Sequence, residues 1–260
     1  MLTVDEFAPV GAHVEGLAVA RLTPGDADEL RQLLATNGVL AIRSGGHVDD
    51  HAFVRFLRSL GELMFTVGET PVPGFPDLNV VSNVGRTTPP RSVFHVDTSY
   101  VNHPPAYTAL RAEAVPAHGG ATLFSNQYAA YETLPARVRA ELACRTVRHV
   151  VTGLALAEGE QTTAVHPLFR THPISRRTAL FLSAPERCAS ISGMTAQQTR
   201  ETIAYLFEHS TRSDNVHRHR WREGDIVIWD NRVVMHRADH SDVVGDRVMH
   251  RGMVAETVAR

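Results

Sequence analysis

The chain reads as a mainly β, α+β protein: an antiparallel sandwich or barrel with helices packed outside it. From about Leu78 onward short β-rich runs recur, at residues 78–84, 106–114, 179–182, 225–229 and 247–256, separated by Pro, Gly and Asn. Two helical patterns interrupt them, at residues 127–142 and 196–209. Nothing repeats, no segment is of low complexity, and no linker rich in Pro or Ser divides the chain, so residues 1–260 read as one domain.

Before Leu78 strand and helix alternate. Thr23-Pro24 is a helix start with proline at the first helical position. Leu30, Leu33 and Leu34 supply an apolar stripe, and Asn37-Gly38 a left-handed stop. Val39, Leu40, Ala41 and Ile42 follow as a short buried strand, broken by Gly45-Gly46. A second helix starts at Asp49 or Asp50, carries Phe53, Phe56, Leu57 and Leu60 on one face, and ends at Gly61. In the later helix, Thr195 is the expected N-cap, with Ile203, Leu206 and Phe207 on the buried face.

Composition excludes several function classes. A net charge of −2 and a pI near 6.7 describe no surface for a polyanion, so nucleic acid is not the expected partner. No stretch approaches the roughly 20 apolar residues that span a bilayer. Cys144 and Cys188 form no C-x-x-C pair, and the N-terminus carries Asp5 and Glu6 where a signal peptide would be basic and apolar. A cytoplasmic location is the expectation. All 26 Lys+Arg positions are arginine, which removes Schiff-base lysines, pyridoxal-phosphate anchors and Walker lysines.

The chemistry lies in three segments. In Phe94-His95-Val96-Asp97, an extended chain would present His95 and Asp97 on one face, an imidazole beside a carboxylate. Far downstream, a strand at 225–229 runs into the polar turn Asp230-Asn231-Arg232, and a second apolar run presents His236. Two histidines and one carboxylate occupy one face of an octahedral iron(II) and leave three positions open for co-substrate and oxygen. Structural zinc sites prefer a closed tetrahedron, usually with cysteine. The third segment is Arg247-Val248-Met249-His250-Arg251, whose two arginines share a strand face. Buried there, they would demand anions, and a carboxylate gripped in a fork answers that demand. Exposed on a surface strand, they would do nothing of the kind.

These motifs, with Gly61-Glu62-Leu63, Gly119-Gly120-Ala121-Thr122 and the run from His166 to Pro173, resemble the taurine dioxygenase and 2,4-dichlorophenoxyacetate dioxygenase family, in matching order over nearly the whole chain. The resemblance implies a double-stranded β-helix (jelly roll), Fe(II), 2-oxoglutarate and O2 as co-substrates, and a homo-oligomer. It maps His95, Asp97 and His236 onto the iron, and Thr122 and Arg247 onto the distal carboxylate of 2-oxoglutarate. Arg251 falls beside that site and matches the arginine that grips the substrate's acidic group. The implied activity is oxidation, most simply hydroxylation, of a C–H bond in a small anionic substrate: a carboxylate, a sulfonate or an amino-acid-derived acid. Succinate and CO2 are the co-products. Thr66 stands where the taurine enzyme has a histidine on the sulfonate, and Arg91 where it has an asparagine; both point away from taurine itself.

Several readings compete. Asp97 argues against a halogenase, which lacks that carboxylate, while desaturation, cyclisation and oxidative rearrangement share the same ligand set. A cupin-type lyase or isomerase would have no use for an anchored dicarboxylate, and a small-molecule sensor none for three open iron positions. Asn83 and Tyr100 are either substrate-pocket residues or core residues with satisfied polar tips. His217-Arg218-His219 reads as solvated surface, Trp229 as a core aromatic, Arg170 as a structural anchor, and His149, His166 and His172 as structural hydrogen-bonding groups. The irregular segments 64–75 and 151–165 are the expected cover of the pocket.

Overall fold

The computed structural model describes residues 2–43, 48–66, 68–86, 92–154 and 156–256. Gly45-Gly46 and Arg91 therefore lie outside the described residues. The helix starts follow from capping chemistry. Thr23 and Asp26 form a reciprocal capping box on α1 (Pro24–Asn37), and Gly38 closes that helix at φ +74°. Asp49 caps α2 (Asp50–Leu60) by accepting from the Ala52 amide. The predicted helix over 127–142 is two: α3 (Gln127–Glu132) and α4 (Ala136–Leu142). Pro135 separates them, because its ring forbids the preceding residue a helical conformation and its nitrogen has no hydrogen to donate. The last helix, α5 (Ala196–Ser210), starts on a Thr195–Gln198 capping box.

The strands that build the site are β1 (Thr3–Glu6), β2 (Ala12–Glu15), β3 (Val39–Ile42), β4 (Phe75–Ser82), β5 (Pro105–Ala114), β6 (Thr122–Asn126), β7 (Val216–His219), β8 (Ile226–Asp230), β9 (Val234–Ala238) and β10 (Val248–Ala255). The large sheet runs β1-β2-β3-β8-β5-β10-β4, extended by Pro71–Val72 beyond β4 and by Leu63–Met64 on β10. Every described pairing in it is antiparallel except β2 with β3. Facing it, β7-β6-β9 form a small sheet. The two make the jelly-roll sandwich. Cys188–Ile191, Thr146–Val150 and Thr163–Pro167 form a further three-stranded sheet beside it.

Period-two alternation explains the layers. On β8, Ile226 and Ile228 face outward onto Leu30, Leu34, Phe53, Phe56 and Leu57 of the helices. Val227 and Trp229 face inward and meet Phe124 of β6 and Val234 of β9. Both faces of β8 are thus buried, which is why it reads as an unbroken apolar run. On the far side of the small sheet, Leu123 and Met235 pack under Ile203 and Leu206 of α5. His217 and His219 are not solvated. The N-terminal segment covers β7, so that Phe7 stacks on His217 at 4.0 Å, and His219 lies 5% exposed beside Asp225 and Trp221.

The chain passes from large sheet to small sheet through Asp230, Asn231 and Arg232, all buried. Asp230 Oδ1 accepts from the Arg232 amide at 2.9 Å and from its Nε at 2.8 Å, while Oδ2 accepts from His172 Nε2 at 3.0 Å. The Arg232 guanidinium lies 5.0 Å over the Tyr107 ring. Burial opposes ionisation of Asp230, but Arg232 and His172 outweigh it and hold the carboxyl at about 2, against 3.8 normally. A carboxyl depressed on folding adds stability above its unfolded pKa, and that stability is lost as pH falls through the folded value. The wild-type protein should therefore shed about 2–3 kcal/mol between pH 4 and 2 through this group. Asp230→Asn should lower the midpoint of urea unfolding at pH 7 and flatten that acid limb, as denaturation curves at several pH values would read.

Candidate functional site

His95 is not on a regular strand. It makes one antiparallel bridge with His236, the two backbones exchanging N–H···O bonds of 3.0 Å, and the chain then turns through Asp97. That bridge brings together residues 141 positions apart in sequence. The His95 and His236 rings lie 4.4 Å apart, Asp97 Oδ1 is 3.5 Å from His95 Nε2, and Asp97 Oδ2 is 3.9 Å from His236 Nε2. One ligand atom from each of the three lies within 4.8 Å of the others. The Val93 carbonyl, 2.9 Å from His95 Nδ1, can only accept, so Nδ1 carries the hydrogen and Nε2 offers its lone pair.

Burial pushes His236 down to about 3, so its imidazole is neutral at physiological pH. Burial acts on Asp97 in the opposite sense, but His236, His95 and Arg251 outweigh it and hold the carboxyl well below its usual range. Two imidazoles and a carboxylate are the donor set a divalent first-row cation takes. Asp50, Glu113 and His250 form a second cluster of potential ligands, but Arg111 pairs with both carboxylates, at 2.7 Å from Asp50 and closer still to Glu113, and occupies a cation's place.

Beside the triad lies a cavity of about 110 Å³ lined by Thr122, Arg247, Arg251, Trp229, His95 and His236, among others. Arg247 is 2% exposed. Its Nε donates to the Gly120 carbonyl at 2.9 Å and its Nη2 to Thr122 Oγ1 at 3.3 Å. Trp221 Nε1 donates to the same hydroxyl at 3.0 Å. Gly120 sits at φ +72°, and a Cβ there would stand 3.2 Å from Arg247 Cδ and 2.7 Å from Pro116 Cγ, so only glycine lets this arginine lie so close. Among the described residues no carboxylate pairs with Arg247, and burial alone lowers its pKa to about 10.

A larger cavity of about 420 Å³ opens on the other side of His95 and Asp97. Thr66, Glu69, Tyr100, Arg187 and Arg251 line it, with Thr152, Gly153 and Leu154. Arg251 reaches both cavities. It stands 3.4 Å from Glu69 Oε1 and 4.0 Å from Asp97 Oδ1, and its buried Nε has no acceptor among the described residues. Segments 64–75 and 151–165 do contribute to this wall.

Thr66, Tyr100 and Asp97 face the large cavity, Thr122, Arg247 and His236 the small one, and His95 borders both. Asn83 lines neither. Its Nδ2 donates to the Gly245 carbonyl at 3.0 Å and its Oδ1 accepts from the Arg247 amide at 2.8 Å, which spends it on the backbone that carries Arg247. Arg170 pairs with Glu256 and lies over Phe181, and Trp229 belongs to the core but also touches His236, with rings 4.4 Å apart. Sequence reasoning missed Arg187, whose Nε donates to Thr152 Oγ1 at 3.2 Å. It also missed Glu69, and Thr108, which donates to Asp97 Oδ2 at 2.9 Å. None of these belongs to a motif, and only the fold brings them to the site.

A family model described as the taurine catabolism dioxygenase TauD, TfdA family matches residues 3–253. The chain belongs to this family. Membership makes it a 2-oxoglutarate-dependent dioxygenase. It is 30% identical over 267 residues to the α-ketoglutarate-dependent 2,4-dichlorophenoxyacetate dioxygenase of a Burkholderia sp. (strain RASC), an alignment that covers 92% of this chain and 89% of the relative. The enzyme of the same name from Cupriavidus pinatubonensis is 34% identical over 169 residues, which span 61% of this chain and 58% of that one. Among solved structures, AAD-2 in complex with Mn(II) and N-oxalylglycine superposes with a TM-score of 0.85 at 28% identity, covering 98% of each chain.

A buried cation without a counter-ion costs folding free energy until an anion arrives. Arg247→Met keeps the bulk and removes the charge. It should raise the melting temperature of the ligand-free protein by about 2–4 °C, the size expected for roughly 1 kcal/mol in a chain of this length. Scanning calorimetry without metal or co-substrate would read this. A lower melting temperature would mean that the hydrogen bonds to Gly120 and Thr122 outweigh the charge burial.

Proposed function

We propose that this dioxygenase uses Fe(II), 2-oxoglutarate and O2 to oxidise a C–H bond of a small acidic molecule, within the single domain formed by residues 1–260. One observation carries the reading: a two-histidine, one-carboxylate cluster stands between a buried arginine that lacks an anion and a larger arginine-lined cavity. His95, Asp97 and His236 hold the iron. Thr122 and Arg247 take the distal carboxylate of 2-oxoglutarate in the small cavity, where the guanidinium fork matches a carboxylate and Trp221 fixes the threonine hydroxyl. Bound iron supplies the oxygen chemistry, with 2-oxoglutarate going to succinate and CO2.

The protein's own contribution is ligation, orientation and exclusion of water. The substrate's acid group pairs with Arg251, whose Nε has no acceptor, and Arg187 adds positive charge on the same cavity wall. Glu69 beside Arg251 is the carboxylate an incoming acid would displace or share. Tyr100 and Thr66 form the remaining polar wall, and Thr66 is too short to reproduce a histidine's contact. A carboxylate, sulfonate or sulfate-ester acid fits this wall, and the 2,4-dichlorophenoxyacetate named for the relatives is such an acid. A metal-only lyase would have no use for the uncompensated Arg247.

The test is anaerobic addition of Fe(II) and 2-oxoglutarate, read by the weak visible charge-transfer band of the chelate. The band should form in the wild type and be absent in His236→Ala and in Asp97→Ala. Arg247→Met should still bind iron but need on the order of 10–100-fold more 2-oxoglutarate, the loss of about 1.4–2.8 kcal/mol. If iron binds wild type and no band forms, the barrel is a metal site for other chemistry. In a substrate screen by succinate release, Arg251→Met should raise KM for acidic substrates about tenfold or more while leaving the 2-oxoglutarate requirement nearly unchanged. The reverse pattern would assign Arg251 to the co-substrate.

A further inference from the structure

Behind the carboxylate of the triad lies a chain of hydrogen bonds that no motif announces. Trp229 Nε1 donates to Asn231 Oδ1 at 3.2 Å, Asn231 Nδ2 donates to Thr108 Oγ1 at 2.8 Å, and Thr108 Oγ1 donates to Asp97 Oδ2 at 2.9 Å. Trp229 and Thr108 are 0% exposed, Asn231 is 1% and Asp97 is 5%, so water does not compete for these groups. The direction of the chain follows from chemistry. An indole N–H can only donate, which turns the Asn231 oxygen toward Trp229 and its amide hydrogens toward Thr108. With its oxygen already accepting from Asn231, Thr108 has one hydrogen, and it goes to the ionised Asp97.

The fold makes this arrangement unavoidable. Trp229 and Thr108 are cross-strand partners in the β8–β5 ladder. The turn that follows β8 curls Asn231 back over that ladder, its amide bonded to the Ala106 carbonyl at 2.9 Å. Asp97 Oδ2 is thus occupied on the side of the β5 strand. Its other oxygen, Oδ1, lies 3.5 Å from His95 Nε2 and, among the described residues, has no such donor closer than Arg251 Nη1 at 4.0 Å.

We propose that Thr108, set by Asn231 and Trp229, is a positioning residue for the metal: its hydroxyl retains Asp97 Oδ2 so that Oδ1 alone is presented to the cation. The proposal rests on the iron-binding reading above. Two histidines and one carboxylate oxygen leave three of six positions, whereas a carboxylate bound through both oxygens leaves two. A co-substrate that chelates through two atoms would then fill the remainder and leave no place for O2. Partners of this kind behind a metal ligand typically contribute 10–100-fold in metal affinity or activity.

Metal binding itself is the readout. Co(II) is titrated anaerobically into wild type, Thr108→Val, Thr108→Ser and Asn231→Asp, followed by its visible spectrum, with the melting temperature of each metal-free protein as the folding control. Thr108→Val, which keeps the shape and loses the donor, should weaken Co(II) binding about 10–100-fold and change the spectrum, while its metal-free melting temperature stays near that of Thr108→Ser. Thr108→Ser should stay within about twofold of wild type. In Asn231→Asp, the Thr108 hydroxyl is drawn away toward the new carboxylate, so Co(II) binding should weaken despite the added negative charge, which by itself would tighten it. This variant carries the test if Thr108→Val fails to fold. Wild-type affinity and spectrum in Thr108→Val, or tighter binding in Asn231→Asp, would overturn the proposal, as would equal losses in the valine and serine variants, which would make the effect one of packing. Absence of any Co(II) or Fe(II) binding by the wild type would sink the iron reading as well. Intact wild-type binding with an unaffected Thr108→Val sinks only the role of Thr108.

Discussion

The site depends on one crossing. Between Trp229 on the large sheet and Val234 on the small one, the chain must turn in the interior of the sandwich, and its polar groups must find partners there. The Asp230–Arg232 ion pair, closed on its open side by His172 and roofed by Tyr107, satisfies the turn from within the chain. A buried pair of this kind adds little to stability over an apolar substitute. It specifies a conformation instead. Once the turn is set, His236 falls opposite His95, Trp229 packs on His236, and Asn231 points back at Thr108.

The electrostatics of the site run against stability and toward binding. Arg247 is buried with hydrogen bonds but no carboxylate among the described residues, His236 is buried and neutral, and Asp97 is ionised beside Arg251. Elsewhere the same chain neutralises its buried charges with care. Arg232 has Asp230, and Arg111 has Asp50 and Glu113. The contrast supports the proposal that an anion from outside completes the Arg247 cavity. Gly120, held at positive φ against the guanidinium stem, is the local concession that lets the arginine occupy it.

Much of this was legible in order. Capping at Thr23, Asp49 and Thr195 has local causes, so these helix starts follow from a few neighbouring residues. The apolar run at 225–229 likewise marked a strand, and the fold buries both of its faces. The proline at 135 was equally visible, yet apolar periodicity across residues 127–142 concealed a break that backbone sterics impose. Polarity misled at His217 and His219, because the cover over them comes from Phe7 and its neighbours, some 200 residues earlier in the chain. Asn83 was a plausible pocket residue only until its amide was seen to serve the backbone at Gly245 and Arg247.

By itself the sequence determined which groups were candidates for the chemistry: His95, Asp97 and His236 as metal donors, with Thr122, Arg247 and Arg251 added by the family resemblance as anion-binding groups. It did so because ligand type is a property of the residue and because the order of short motifs survives in one dimension. Tertiary structure alone decided what each of them meets. The antiparallel bridge at His95 and His236, the reach of Arg251 into two cavities and the place of Thr108 behind Asp97 all join residues apart in the chain. Their distances are set by sheet register and by a buried turn, and neither is encoded in any single stretch of residues.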